Sequence, residues 1–277
     1  MSGPDQYAVF GNPIAHSKSP LIHALFAQQT GQNLEYNAQL VALDEFDNAV
    51  REFAQHNGRG LNITVPFKQS AFQLATRLSE RAQQAGAVNT LVIHAVDDYY
   101  GDNTDGIGLA RDLVRNHQLI LSGKTILLIG AGGAVRGVLG ALLGNTPKSL
   151  TIANRTVEKA LDLAGAFSEL GTISGCGFDD LHHQRFDVII NATSASLKGE
   201  LPPLPDTLLH TDSFCYDMMY GKHPTVFMQW AKQNGVSDNN IADGLGMLVE
   251  QAAESFKLWR GVEPETQSVI ETVRGML

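Results

Sequence analysis

The chain has 277 residues, 43% of them hydrophobic and 18% charged, with a formal charge of −9 at neutral pH. That length exceeds one small domain, so two domains with separate cores are expected. The acidic balance excludes a general nucleic-acid binder, which needs a basic face, and no apolar run reaches the roughly 18 residues of a membrane span.

The first residues lack a charged region followed by an apolar stretch, so a cytoplasmic location is expected. Cys176 and Cys215 stand singly, without CxxC or Cys/His ligand spacing. They read as small core residues in a reducing compartment, and no metal is expected. The His182-His183 pair reads as solvated loop.

In chain order, a short strand at 7–10 runs into the turn Gly11-Asn12-Pro13. Ser19 before Pro20 reads as a helix cap, leaving the Ser17 hydroxyl free of capping and open to a ligand. A strand at 34–43 and an amphipathic helix at 43–56 follow, then a strand at 60–65 stopped by Pro66. Asn62, Thr64 and Lys68 gather where that strand ends, the side on which open α/β sheets place ligands. Lys68 early in a helix opposes the helix dipole, a local breach that can mark a functional site. The strand at 87–93 carries a polar Asn89-Thr90 pair that needs partners if buried. Asp97-Asp98 is a hairpin turn, and Thr104 or Asp105 could cap a helix at 106–117.

The stretch 125–137 organises the second half. TILLI is an uncharged run suited to a strand buried on both faces. Gly130, Ala131, Gly132, Gly133 and Ala134 then form a tight turn into a helix whose free N–H groups suit a dinucleotide pyrophosphate. The third glycine of G-x-G-x-x-G falls on Val135, so the match is partial. The next strand, 149–153, ends in Asn154-Arg155-Thr156. Arginine at that position suits a ribose 2′-phosphate, which favours NADP over NAD. Strand and helix patterns alternate across 105–240 and imply a parallel sheet. Asn191, Thr193 and Met218 would line its nucleotide side. A long helix at 247–259 and a last one at 265–276 complete the chain.

GNPIAHSKSPLIH, NITVPFK, GAVNT, GDNTDG, GAGGA, NRT, NATS, YDMMY and DGLGMLVEQAA, in this order and spacing, resemble the NADP-dependent shikimate dehydrogenase family nearly end to end. The resemblance implies an α/β protein of two domains. One is an N-terminal α/β substrate domain, residues 1–104 plus 244–277; the other is a Rossmann-like NADP-binding domain, residues 105–243. Shikimate would lie between them. The resemblance further implies that Ser17, Ser19, Thr64, Asn89, Asp105, Tyr220 and Gln251 bond the substrate, with Lys68 and Asp105 as an acid-base dyad. It assigns NADP to Gly130 to Ala134, to Asn154, Arg155, Thr156, Val157, Glu158 and Lys159, to Met218 and Gly244, and to Glu80. The implied reaction is the reversible NADPH-dependent reduction of 3-dehydroshikimate to shikimate in aromatic amino acid biosynthesis. A homodimer stays open. The rivals are an NAD-using quinate/shikimate enzyme, against which Arg155 weighs, and a non-catalytic NADPH-sensing module, which would need neither the dyad nor the polar loop.

Overall fold

The computed structural model describes residues 3–193, 195–196 and 199–277. The chain forms two compact units, one of residues up to Gly108 with Leu248–Met276, the other of Leu109–Met247.

The first unit contains β1 (Asp5–Gly11), α1 (Ser19–Thr30), β2 (Leu34–Leu40), α2 (Phe46–Gln55), β3 (Gly58–Ile63), α3 (Lys68–Leu74), β4 (Arg77–Leu78), α4 (Glu80–Ala85), β5 (Thr90–Ala95), β6 (Asp98–Asp102) and the start of α5 (Asp105–Arg111). Its sheet runs β2-β1-β3-β5-β6-β4. β1 is parallel to both neighbours, whereas β5 is antiparallel to β3 and β6. Alternation in β1 sends Ala8 and Phe10 to a core shared with Phe46, Val50, Phe67 and Leu91, and Tyr7 and Val9 to the opposite face with Ile14 and Tyr36.

Two expected strands shrink for a physical reason. β2 stops at Leu40 because its partner on β1 there is Gly11, the last residue of that strand. β5 starts at Thr90, not at 87, because the Val88 amide leaves the sheet for the Lys68 carbonyl at the head of α3. The hairpin turn at Asp97 has φ 61°.

The second unit contains β7 (Thr125–Ile129), α6 (Gly133–Gly144), β8 (Ser149–Ala153), α7 (Val157–Ala166), β9 (Ile173–Cys176), β10 (Val188–Asn191), β11 (Phe214–Asp217), α8 (Val226–Gln233) and β12 (Ile241–Asp243). All its strand pairs are parallel, in the order β12-β11-β10-β7-β8-β9. This is a doubly wound sheet whose order reverses between β7 and β10. Ile126 and Leu128 pack on the α6 residues Val135, Val138 and Leu142, while Leu127 and Ile129 pack on Phe227 and Trp230 of α8. The uncharged run of β7 is the consequence of burial on both faces.

The chain then returns through α9 (Leu245–Arg260) and α10 (Gln267–Arg274). From Leu248 onward these helices belong to the first unit. There Phe256 meets Phe26 at 5.7 Å between ring centroids, and Trp259 meets Tyr7 at 4.8 Å. Among the described residues no helix is long and apolar enough to cross a membrane.

Candidate active site

In the first unit the turn after β3 brings Lys68 to the first residue of α3, and the end of β6 brings Asp105 to the first residue of α5. Lys68 Nζ donates to Asp105 Oδ2 at 2.5 Å, with side chains 30% and 15% exposed. Both partners are tied down. The Lys68 carbonyl accepts from Val88 N–H at 2.9 Å, and Asn89 Nδ2 donates to Asp105 Oδ1 at 2.8 Å. Capping of α5 falls to Asn103, whose Oδ1 accepts from Asp105 N–H. The Asp105 carboxylate is therefore released from that task, and Thr104 from it as well. Thr104 instead turns its hydroxyl and amide to Asn89.

Asn89 is 2% exposed, and its amide also contacts Gln251 Oε1 at 3.4 Å. Gln251 Nε2 turns back to the Leu248 carbonyl. Thr64, half-buried beyond the end of β3, has its N–H on the Phe10 carbonyl and its carbonyl on Phe67 N–H. At the head of α1 the expected capping is corrected. Lys18 occupies the cap position without a side-chain bond, and Ser19 is already helical. It is Ser17 whose Oγ accepts, from Ser19 N–H at 3.3 Å, so this hydroxyl does have a local role. Lys68, Asp105, Asn89 and Gln251 thus form one contiguous group; Ser17 and Ser19 form a second. Tyr220 lies in the second unit, its hydroxyl pKa pushed up by burial and by Asp243.

One anchoring feature escapes sequence reasoning. Arg81 reaches Asp102 with two nitrogens, at 2.7 and 2.6 Å, and Glu254 of α9 at 2.9 Å. Burial alone would raise the Asp102 pKa, yet Arg81, the Ser79 hydroxyl and Asn103 N–H hold it below the ordinary value. This pins the end of β6 just before the Asp105 turn.

In the second unit β7 ends at Ile129 and is followed by Gly130, which has φ 110° and donates its N–H to the Ala153 carbonyl at 2.8 Å. Gly132 heads α6 without any capping side chain or first-turn acid. A Cβ on Gly132 or Gly133 would meet no protein atom within 4 Å. Such glycines are not demanded by internal packing, and the bare amides beside open space fit an anion like a pyrophosphate. Val135, at the third glycine position, is fully buried against β7. Past β8, Asn154 Nδ2 holds the Thr156 carbonyl at 2.8 Å, and Arg155, Thr156, Glu158 and Lys159 are exposed around the start of α7. Thr156 occupies the cap of α7 without a side-chain bond. These donors fit a 2′-phosphate.

Met218 is partly exposed after β11, with its N–H on the Asn191 carbonyl at 2.8 Å, and Gly244 packs directly on the Met218 backbone. Asn191 does not line the crevice as expected. It is fully buried, and its amide is spent on Ser196 and Thr193. Glu80 is an exposed first-turn carboxylate of α4, bonded by Gln84 in the first unit. Burial pushes the Cys215 thiol up to about 12.

Comparison with known proteins identifies the family. Residues 9–91 match the shikimate dehydrogenase substrate binding domain, 112–198 the shikimate/quinate 5-dehydrogenase domain and 244–274 the shikimate 5′-dehydrogenase C-terminal domain. The chain is 56% identical to the shikimate dehydrogenase (NADP(+)) of Cellvibrio japonicus (strain Ueda107), over 99% of its own length and 98% of that protein. It resembles the crystal structure of an Ael1 enzyme from Pseudomonas putida with a TM-score of 0.90 and 48% identity, covering 97% of each chain. It also resembles shikimate 5-dehydrogenase from Thermus thermophilus, solved in complex with NADP(H) and shikimate, with a TM-score of 0.86 and 30% identity over 98% of this chain and 99% of that one. By these likenesses the chain belongs to the shikimate dehydrogenase family.

Proposed function

We propose that Lys68 and Asp105 form the acid-base pair of a cytoplasmic dehydrogenase that interconverts 3-dehydroshikimate and shikimate with NADP(H), on the route to chorismate and the aromatic amino acids. Activity and coenzyme rest on relatives 54% to 56% identical over 99% of the chain, all of them shikimate dehydrogenases (NADP(+)). NADP supplies the two-electron hydride chemistry when bound. Its pyrophosphate falls to the amides of Gly130 to Ala134, its 2′-phosphate to Asn154, Arg155 and Thr156, and its remaining contacts to the first turn of α7, Met218 and Gly244.

The chain's own contribution to the reaction is proton handling. A ring alcohol can surrender hydride only as its hydroxyl proton leaves, and the reverse reaction returns that proton to oxygen. Lys68 Nζ and Asp105 Oδ2, in contact at 2.5 Å, share a proton as one acid-base dyad that serves both directions. Ser17 and Ser19 offer hydroxyls to the substrate carboxylate. Thr64, Asn89, Gln251 and Tyr220 replace water around the ring oxygens.

The carrying observation is the Lys68–Asp105 contact with Asn89 fixing the second carboxylate oxygen. Lys68→Ala is expected to lower kcat for shikimate oxidation by about 10²–10⁴ with a smaller change in KM, since positioned proton transfer acts in the transition state. Steady-state rates from the reduced-nicotinamide absorbance measure this, and an unchanged kcat would remove Lys68 from the chemistry.

A further inference from the structure

Behind Asn89 lies a buried polar network that a hydrophobic core would not tolerate without a reason. Asn62, 6% exposed on β3, donates through Nδ2 to Thr90 Oγ1 at 3.2 Å, to Ser255 Oγ at 3.0 Å and to the Asn89 carbonyl at 3.3 Å. Its Oδ1 accepts from Tyr36 Oη at 2.7 Å and faces His23 Nε2 at 3.2 Å. Thr90 Oγ1 reaches Asn89 Oδ1 at 2.9 Å and Ser255 Oγ at 2.8 Å, and Ser255 Oγ faces Thr104 Oγ1 at 3.3 Å.

The direction of these bonds is fixed by groups that have only one role. Asn89 Oδ1 faces the backbone N–H of Thr104 at 2.9 Å, so that atom is the oxygen, and the Asn89 NH₂ must point at Asp105. The backbone carbonyl of Asn89 fixes Asn62 Nδ2 as a donor in the same way. Asn62 Oδ1 then requires a hydrogen on His23 Nε2, which leaves His23 Nδ1 bare, and that atom is buried without a partner. With Asn62 donating to Thr90, and Ser255 turning its hydrogen to Thr90 Oγ1 at 2.8 Å rather than to the more distant Gln251 carbonyl at 3.1 Å, the Thr90 hydrogen is left for Asn89 Oδ1 at 2.9 Å. Asn62 and Ser255 thus donate to Thr90, Thr90 donates to Asn89 Oδ1, and Asn89 Nδ2 donates to the Asp105 carboxylate.

We propose that Thr90, supported by Asn62 and Ser255, is a positioning residue for the acid-base pair: its hydroxyl joins the Thr104 N–H in holding Asn89 Oδ1, so that Asn89 presents an N–H to one oxygen of Asp105 and leaves the other to Lys68. This rests on the reading of Lys68 and Asp105 given above. Thr90 is fully buried and bonds through Asn89, never to Asp105 itself, so its effect belongs in kcat.

The test compares Thr90→Val, which keeps shape and loses the hydroxyl, with Thr90→Ser, which keeps it, each alone and with Lys68→Ala. Thr90→Val is expected to lower kcat about three- to tenfold, the worth of one neutral hydrogen bond, while KM for shikimate stays within about twofold. Thr90→Ser restores kcat. In the Lys68→Ala background Thr90→Val changes kcat by less than about twofold, because residues acting through one group are not additive. If Lys68→Ala alone leaves kcat intact, the pair itself is wrong and this inference falls with it. If Lys68→Ala is impaired but Thr90→Val keeps full kcat, or loses the same factor in both backgrounds, positioning by Thr90 is overturned alone. Should Thr90→Val fail to fold by circular dichroism, Ser255→Ala is read by the same criteria.

Discussion

Asp105 divides its two oxygens between Lys68 and Asn89, at 2.5 and 2.8 Å, and at the far end of the same network His23 pays for the arrangement with an unpaired ring nitrogen. Burial lowers the His23 pKa to about 3, against a smaller opposing effect of its bond to Asn62. The unfolded chain takes up this proton near pH 6.5, and the native protein resists doing so until about pH 3. Unfolding is thus favoured as pH falls through that window, and the stability linked to His23 is fully present only above it. Between pH 7 and 5.5 the loss is about 1 kcal/mol. His23→Gln keeps a donor for Asn62 and removes the titration, so urea unfolding at the two pH values is expected to show a correspondingly smaller loss. The same loss in both proteins would clear His23 of the effect. Arg155 carries a separate expectation. Arg155→Asp is predicted to weaken NADPH about 10- to 100-fold, as removal of charge-assisted phosphate bonds implies, and NADH hardly at all; titration by fluorescence decides, and equal losses would refute a 2′-phosphate role. Site residues differ in how legible they are. An Asn-Thr pair inside an apolar strand announces that partners exist, but Thr104 and Ser255, 15 and 165 residues away from their respective partners, become visible only once the sheet is folded. Ser17 misleads, because a hydroxyl two residues upstream can serve a helix start that already has proline.

Elements announce themselves when their burial is symmetrical. β7 reads as a strand because both of its faces are core, and the following glycines mark its end. β9, Ile173-Ser174-Gly175-Cys176, is illegible: two small residues interrupt any apolar run, and their size answers to a neighbour. A Cβ on Gly175 would strike the backbone carbonyl of Ala160 in α7, where no rotamer change can relieve the clash. Gly175 is thus the residue that lets α7 lie directly on the strand. Gly175→Ala is expected to cost about 1–3 kcal/mol, the range for overpacking a filled core, read as a lowered urea midpoint with unchanged slope. A midpoint within error of the parent would mean that α7 shifts freely. The short helix α8 escapes for a different reason, since its cap Thr225 also bonds Asp217 at 2.6 Å, a tertiary contact that sequence periodicity does not encode.

At the scale of the molecule, a net charge of −9 means that a polyanionic coenzyme is held by local donors against the overall field, a burden that the site proposed above assigns to the α6 amides and Arg155. The two units also differ in how they are closed. The second is one continuous segment, Leu109–Met247, whereas the first is completed only by Leu248–Met276. Those returning helices supply the fully buried Phe256, the Trp259 indole bonded to the Leu91 carbonyl at 2.9 Å, the Glu254 partner of Arg81 and the Arg260 partner of Asp5. Losing one large buried aromatic typically costs about 3–5 kcal/mol, and a whole domain is stable by only about 5–15 kcal/mol. Removal of the buried Phe256 and the partly buried Trp259 together, with two ion pairs left half-made, is therefore comparable with the whole stability of such a unit. Residues 1–108 expressed alone are expected to be unfolded, with no cooperative urea transition, while residues 109–247 fold and still bind NADP⁺. Circular dichroism, urea titration and coenzyme binding on the two fragments measure this. A cooperative transition in the 1–108 fragment would show that the N-terminal sheet closes its own core and that the C-terminal helices are an accessory, not a structural requirement.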